Sequence, residues 1–207
     1  MKLFTIRSAW LLAVLLWLGL VAFGYSKLLR YSFTEGGLAQ APRNLPASLA
    51  PTNASKRSQM FLALHPRCPC SRATVREMAK ILSRAADTVD VTVLVYMPGA
   101  PPQHWMQNAM LEECRRLNWR MRPDPEGKLA ALLGSLTSGT VALYDTEGRL
   151  RYRGGITAAR GHEGDNLGAS AVGEILTGTR ESFHSMPVFG CPIQERPPES
   201  ASPTSPL

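Results

Sequence analysis

Aromatic residues make up only 7% of this 207-residue chain, and no series of them is interleaved with its basic clusters. A stacking surface for single-stranded nucleic acid is therefore missing, and the formal charge of +7 does not restore one. Position accounts for much of that charge. Lys2, Arg7, Lys27 and Arg30 flank an apolar segment, and without them 19 basic side chains face 16 acidic ones after residue 34. Arg67, Arg72, Arg76, Lys80 and Arg84 gather near two cysteines, but helical spacing mixes them with apolar positions. No nucleic-acid partner is expected. No internal repeat is present, and cysteine is scarce: Cys68, Cys70, Cys114 and Cys191 are all there are.

A chain of this length holds one domain of about 100 to 150 residues plus extensions. Ala9 to Tyr25 runs without a charge, near the lower limit of roughly 17 to 25 residues for a spanning helix. Trp10, Trp17 and Tyr25 are aromatic anchors suited to a membrane interface. Lys2 and Arg7 also make a short positive leader, but no A-x-A site follows, and Ala22-Phe23-Gly24 is a weak substitute. Residues 1–31 are read as a membrane anchor, with a signal peptide as the rival. Residues 32–57, rich in Pro, Gly, Ala and Ser, read as a linker. Residues 58–193 form the domain, and 194–207 have the composition of a disordered tail.

Basic residues lie on both sides of the anchor, so orientation follows from the cysteines. A cysteine-bearing domain behind a short anchor belongs outside the cytoplasm, where disulfides persist. The expectation is a single-pass protein of a bacterial inner membrane with its domain in the periplasm.

Gln59 to Leu64 is a short apolar strand leading into His65-Pro66-Arg67-Cys68-Pro69-Cys70. Val75, Met78, Ala79, Leu82 and Ala86 mark one face of a helix. Val89 to Tyr96 is β-branched and apolar, a second strand, and strand, helix, strand in this order predicts a right-handed parallel crossover. A second helix is expected over Pro102 to Leu117, carrying Cys114, with His104 and Trp105 to Met110 on its surface and in its core. Arg122-Pro123-Asp124-Pro125 reads as a break. A short helix follows from about Glu126 to Leu133, then a hairpin of Thr140 to Asp145 and Arg149 to Gly154, and a last helix over Ala169 to Leu176.

This order is that of the thioredoxin-like α/β fold, a central mixed sheet flanked by helices. FLALHPRCPCSRATVREMAKIL, the hairpin VALYDTEGRLRYRGGIT, the loop RGHEGDNLG and the late FGCPI resemble the RedB family, membrane-anchored proteins related to the TlpA-like thioredoxin group. The resemblance covers Gln59 to Ile193. It informs the fold more than the reaction; dithiol exchange at the cysteines would act on protein thiols or disulfides and requires no separate cofactor. Active thioredoxins carry a cis-proline loop just before the hairpin. Here the matching stretch is Thr137-Ser138-Gly139-Thr140, without proline, which puts substrate docking through that loop in question.

With Cys68 near the N-cap of the helix, Pro69 at N1 and Cys70 at N2, the Cys68 sulfur would sit beside free backbone N–H groups, with Arg67 and Arg72 close by. All of these favour thiolate, the form that attacks disulfides. A Cys68–Cys70 disulfide would close a very small ring and be strained and oxidising. Cys191 is the alternative resolving thiol, a choice that four cysteines and three connectivities leave open. Cys68, Cys70 and Cys191 are the candidate catalytic residues. Cys114 reads as a buried small hydrophobe.

Two other classes remain. Cys68 and Cys70 with His65, or with His184 and Met186 near Cys191, are soft ligands of the kind copper(I) prefers. That alternative is a copper-binding chaperone. The other is a non-catalytic interaction module, favoured by the missing proline. The loop Arg160 to Asn166 reads as a polar turn leading into the last helix, and Glu112, Glu113, Arg115 and Arg116 as a solvated face.

Overall fold

The computed structural model describes residues 2–51 and 56–194. The chain divides into two units, Met1–Thr34 and Glu35–Leu207. The first is one helix, α1, Lys2–Phe33. Its stretch Trp10–Phe33 is 24 residues long, with large apolar side chains exposed along it. At 1.5 Å per residue it reaches about 36 Å, longer than a hydrocarbon core of about 30 Å. Lys27 and Arg30 do not interrupt it, because long basic side chains lay their stems on apolar surface while the charge stays in water.

The second unit is built on β1 (Ser58–Leu64), β2 (Val89–Met97), β3 (Arg120–Pro125), β4 (Thr140–Tyr144), β5 (Leu150–Gly154) and β6 (His184–Ser185). They form one sheet in the order β3-β2-β1-β4-β5-β6. β1, β2 and β3 run parallel, β4 is antiparallel to β1 and β5, and β6 is parallel to β5. The helices are α2 (Ser71–Leu82), α3 (Ala109–Arg116), α4 (Lys128–Leu132) and α5 (Leu167–Leu176). This is a thioredoxin-like α/β fold with a mixed sheet between helices.

The strands read as unbroken apolar runs because both faces of the sheet are covered. Met60, Leu62 and Leu64 of β1 point into a core with Val75 and Met78 of α2, Leu111 and Cys114 of α3, and Val172 of α5. The alternate residue Phe61 packs on the other face with Leu94, Leu133, Ala142 and Tyr144.

That second face corrects the reading of residues 32–57 as a linker alone. Leu49 is buried there and Leu45 packs beside it. Backbone N–H groups of Ala39 and Leu45 donate to Gly134 and Gly148, and the Tyr144 hydroxyl donates to Pro42. A chain poor in periodicity still buries apolar side chains where the short helix α4 leaves part of a sheet face open. Gly134, at φ 66°, ends α4 where a Cβ would strike the strap's Ala39 carbonyl, so only glycine allows the approach.

Other departures have local causes. The expected break at Pro123 and Pro125 is the edge strand β3, where a proline's missing N–H can face away from the ladder. Asp124 between them is buried, and its carboxylate accepts the N–H groups of Leu129 and Ala130, capping α4. The helix expected from Pro102 begins only at Ala109, because Asn108 caps it by accepting the Leu111 N–H at 2.9 Å. Trp105 lies in the preceding turn and donates its indole N–H to the Tyr96 carbonyl. Of the expected tail, Gln194 donates to the Glu126 carbonyl, and residues 195–207 lie outside the described residues.

Leu49→Ala should lower the stability of the second unit by about 2 to 3 kcal/mol in equilibrium urea unfolding. A free tether would give no change.

Candidate functional site

β1 delivers the chain at Leu64 into a tight turn, closed by the Cys68 N–H donating to the His65 carbonyl at 3.0 Å. His65 is buried, its ring stacked on Tyr96 with centroids 5.2 Å apart, and its Nδ1 accepts the Arg67 N–H. The His65 N–H donates to the Ser138 hydroxyl, which also shares a 2.6 Å hydrogen bond with the Ser71 hydroxyl. Thus the proline-free loop before β4 lies against the turn that carries the cysteines.

The start of α2 differs from expectation. Cys70 is the N-cap and Ser71 the first helical residue, so Cys68 precedes the helix, joined to it by the Ser71 N–H donating to the Cys68 carbonyl. Arg67 is drawn away: its guanidinium sits over the Trp105 ring, 4.6 Å from the centroid. The cation that acts on the sulfurs is Arg160, from the loop before α5. The sequence pointed to the loop of Ser138 through its match to the cis-proline loop, but nothing in it marked Arg160 or Ser71 as part of the site.

The fold brings Cys191 to this place. Residues 190–193 run beside the loop 136–138, with the Ser138 N–H donating to the Cys191 carbonyl at 2.8 Å and the Ile193 N–H to the Leu136 carbonyl at 2.9 Å. The sulfurs of Cys68, Cys70 and Cys191 all lie within 4.8 Å of one another, and all four cysteines are thiols. Cys114 lies apart in the core on α3. Burial, with Glu113 beside it, pushes its thiol up to about 12, so it stays neutral.

The three clustered thiols are not equivalent. Burial works to raise Cys68, but hydrogen bonds from the side chains of Ser71 and Cys191 and from both their backbone N–H groups outweigh it, and its pKa is lowered. Burial raises Cys191 to about 12, reinforced by its hydrogen bond to Cys68 and by the charges of Cys68 and Cys70, with Arg160 opposing. Cys70 is raised by burial and by Cys68, again opposed by Arg160. Negative charge therefore settles on Cys68, and its neighbours serve as S–H donors.

Among the described residues, the His, Cys and acidic side chains near enough to share one ion are these three cysteines alone. His65 is engaged by Arg67, Tyr96 and Trp105. His184 lies on β6, its ring facing Tyr152. In the loop before α5, Glu163 pairs with Arg76, the Gly164 N–H donates to Glu77, and Asn166 caps α5 through the Ala169 N–H.

Solved structures share this architecture. A hypothetical protein from Sinorhizobium meliloti is 20% identical, with 79% of this chain and 95% of that one covered and a TM-score of 0.53. An uncharacterized conserved protein from Geobacillus kaustophilus is 14% identical over 81% and 96%, with a TM-score of 0.55. A secreted disulfide oxidoreductase from Mycobacterium tuberculosis, homologous to E. coli DsbE, is 16% identical over 72% and 97%, at a TM-score of 0.41. No protein-family model and no curated protein matches the chain. At these identities the likeness of the first two bears on the fold alone, and the third, at its lower TM-score, adds no argument.

With Cys70 and Cys114 replaced, ultraviolet thiolate absorbance should show Cys68 titrating lower than an ordinary exposed thiol, because hydrogen bonds from Ser71 and Cys191 favour its thiolate. Cys191→Ala should move that titration upward, because it removes hydrogen bonding that favours the thiolate over the thiol. An unmoved midpoint would exclude Cys191 as the donor.

Proposed function

We propose that this protein is a membrane-tethered thiol–disulfide exchange protein of the RedB type, acting outside the cytoplasm on protein thiols or disulfides. The observation that carries the proposal is the cluster of three sulfurs around a single stabilised thiolate at the end of a thioredoxin-type β1 strand. Cys68 is the nucleophile. Its thiolate attacks one sulfur of a partner disulfide, a Cys68–partner bond forms, and the partner's other sulfur leaves as thiolate. A second thiol of the cluster, once deprotonated, attacks the Cys68 sulfur and releases the partner's remaining thiol. The partner has gained two electrons, and the cluster has become a disulfide.

Cys191 is the better resolving thiol. It is hydrogen-bonded to Cys68, and a Cys68–Cys191 link avoids the very small ring of a Cys68–Cys70 bridge, whose strain would favour reduction. Reversal of the same steps oxidises a partner dithiol, so direction depends on the partner's potential. The apolar helix Trp10–Phe33 supports the membrane tether, and the clustered cysteines favour an oxidising compartment such as the periplasm.

Cys68→Ser should abolish reduction of a model protein disulfide while the domain stays folded, and Cys191→Ser should let the mixed disulfide accumulate. Unchanged turnover in Cys68→Ser would remove Cys68 from the mechanism.

The same three sulfurs favour a second reading, copper(I) delivery. Thiolates are soft ligands, and metal–sulfur bonds near 2.3 Å, as in zinc sites, place sulfurs about 4 Å apart; the three here lie within 4.8 Å of one another. Cys68, Cys70 and Cys191 would hold the ion. Stoichiometric copper(I) binding that Cys70→Ser weakens is the expected result; binding no tighter than that of a cysteine-free control would eliminate this reading.

A further inference from the structure

β5 turns Arg153 toward the face of the sheet that the strap covers, because it pairs with Ala142, whose side chain lies in that core. Its guanidinium donates to the strap's Ala39 carbonyl. The Arg153 Nε is buried and, among the described residues, has no hydrogen-bond partner. The acid of the β4–β5 turn, Asp145, is already engaged by Arg151 at 3.2 Å and by the N–H groups of Glu147 and Arg149. An arginine charge held partly out of water against one neutral carbonyl is costly, and an anion is the partner that would offset the cost.

Beside it lies a cavity of about 690 Å³, within the range of roughly 300 to 1,000 Å³ that suits an organic ligand. Arg43 and Asn44 of the strap, Arg149, Leu150 and Arg153 on the β5 side, and Phe183 line it; among its described lining residues none is acidic. Backbone pairing holds the arginines together without a counter-charge. The Leu150 N–H donates to the Arg43 carbonyl at 2.8 Å, and the Leu45 N–H to the Gly148 carbonyl at 2.8 Å. A cleft lined by charges of one sign concentrates ions of the other, and the guanidinium fork matches phosphate oxygens. Phe183, 51% exposed, and Leu150 give the same cavity an apolar side.

We propose that this cavity binds an organic phosphate, its phosphate held by Arg43, Arg149 and Arg153 and its apolar portion laid against Leu150 and Phe183. The Arg153 Nε supplies a donor that is otherwise unused. The phosphate belongs either to a soluble ester or to a lipid headgroup, since both present the same chemistry. None of these residues belongs to the cysteine cluster, so the site stands whether or not Cys68 exchanges disulfides.

The test titrates phenyl phosphate into the full chain in nonionic detergent by isothermal calorimetry. Saturable binding is expected, tighter than that of inorganic phosphate by about threefold or more because the ring is buried. Arg153→Gln, which keeps a donor for the Ala39 carbonyl, should weaken it by about tenfold or more. Arg149 is exposed, so Arg149→Glu leaves the fold intact and should weaken binding by about fivefold or more; it decides the matter where Arg153→Gln disturbs the strap. Arg116→Glu alters the net charge equally, from an exposed position on α3 at the opposite face of the sheet, and should leave the affinity unchanged. Absence of saturable binding, equal affinity for inorganic phosphate, or equal losses in Arg149→Glu and Arg116→Glu would overturn the proposal. Phosphatidylglycerol added to the micelles, but not phosphatidylcholine, should displace phenyl phosphate where the natural ligand is a lipid headgroup. Phenyl phosphate that stays bound assigns a soluble phosphate ester.

Discussion

β1 is paired on both edges and covered on both faces, and the rest of the second unit is arranged to meet those demands. Its backbone is bonded to β2 on one side and β4 on the other, while its side chains alternate between two separate cores. A slip of one residue would exchange the faces of Met60, Leu62 and Leu64 with that of Phe61, which neither core could accept. The register is therefore held firmly, and with it the point at which the chain leaves the sheet. His65 and Cys68 follow at once, so the site inherits its position from the most constrained strand of the fold.

At that point the chain arranges charge economically. Three thiols share a small, partly buried space in which more than one negative charge would be costly. Hydrogen-bond donors converge on Cys68 from Ser71 and Cys191, and Arg160 bears on the other two sulfurs. The result is one sulfur that favours the thiolate form with two neutral thiols beside it. Cys114, equally free of disulfide, lies apart from the cluster in the core.

The strap and the C-terminal segment converge on the loop before β4. Gly36 donates its N–H to the Val188 carbonyl, and the Thr137 hydroxyl donates to the Gly37 carbonyl. Residues 35–51 and 187–193 thus meet around Leu136 to Ser138, the stretch that adjoins Cys68.

Periodicity and turn chemistry made β1, α2, β2, the β4–β5 hairpin and α5 legible in the sequence, because each buries a face with a regular spacing or ends in a recognisable cap. β3 and β6 were not legible. Two prolines disguised the first as a break, and the second pairs only two residues of β5. The strap, residues 35–51, escaped notice because its burial comes from the part of a sheet face that α4 leaves open, a property of other residues. The sequence by itself determined a long apolar N-terminal helix, the strand-to-helix setting of Cys68-Pro69-Cys70, and the thioredoxin order of elements, since these depend on local pattern. Only the tertiary structure decided that Cys191 joins Cys68 and Cys70, that Arg160 replaces Arg67 as the nearby cation, and that Ser71 and Ser138 line the site. Those outcomes depend on long-range backbone pairing, which brings distant residues together without marking any of them in the local sequence.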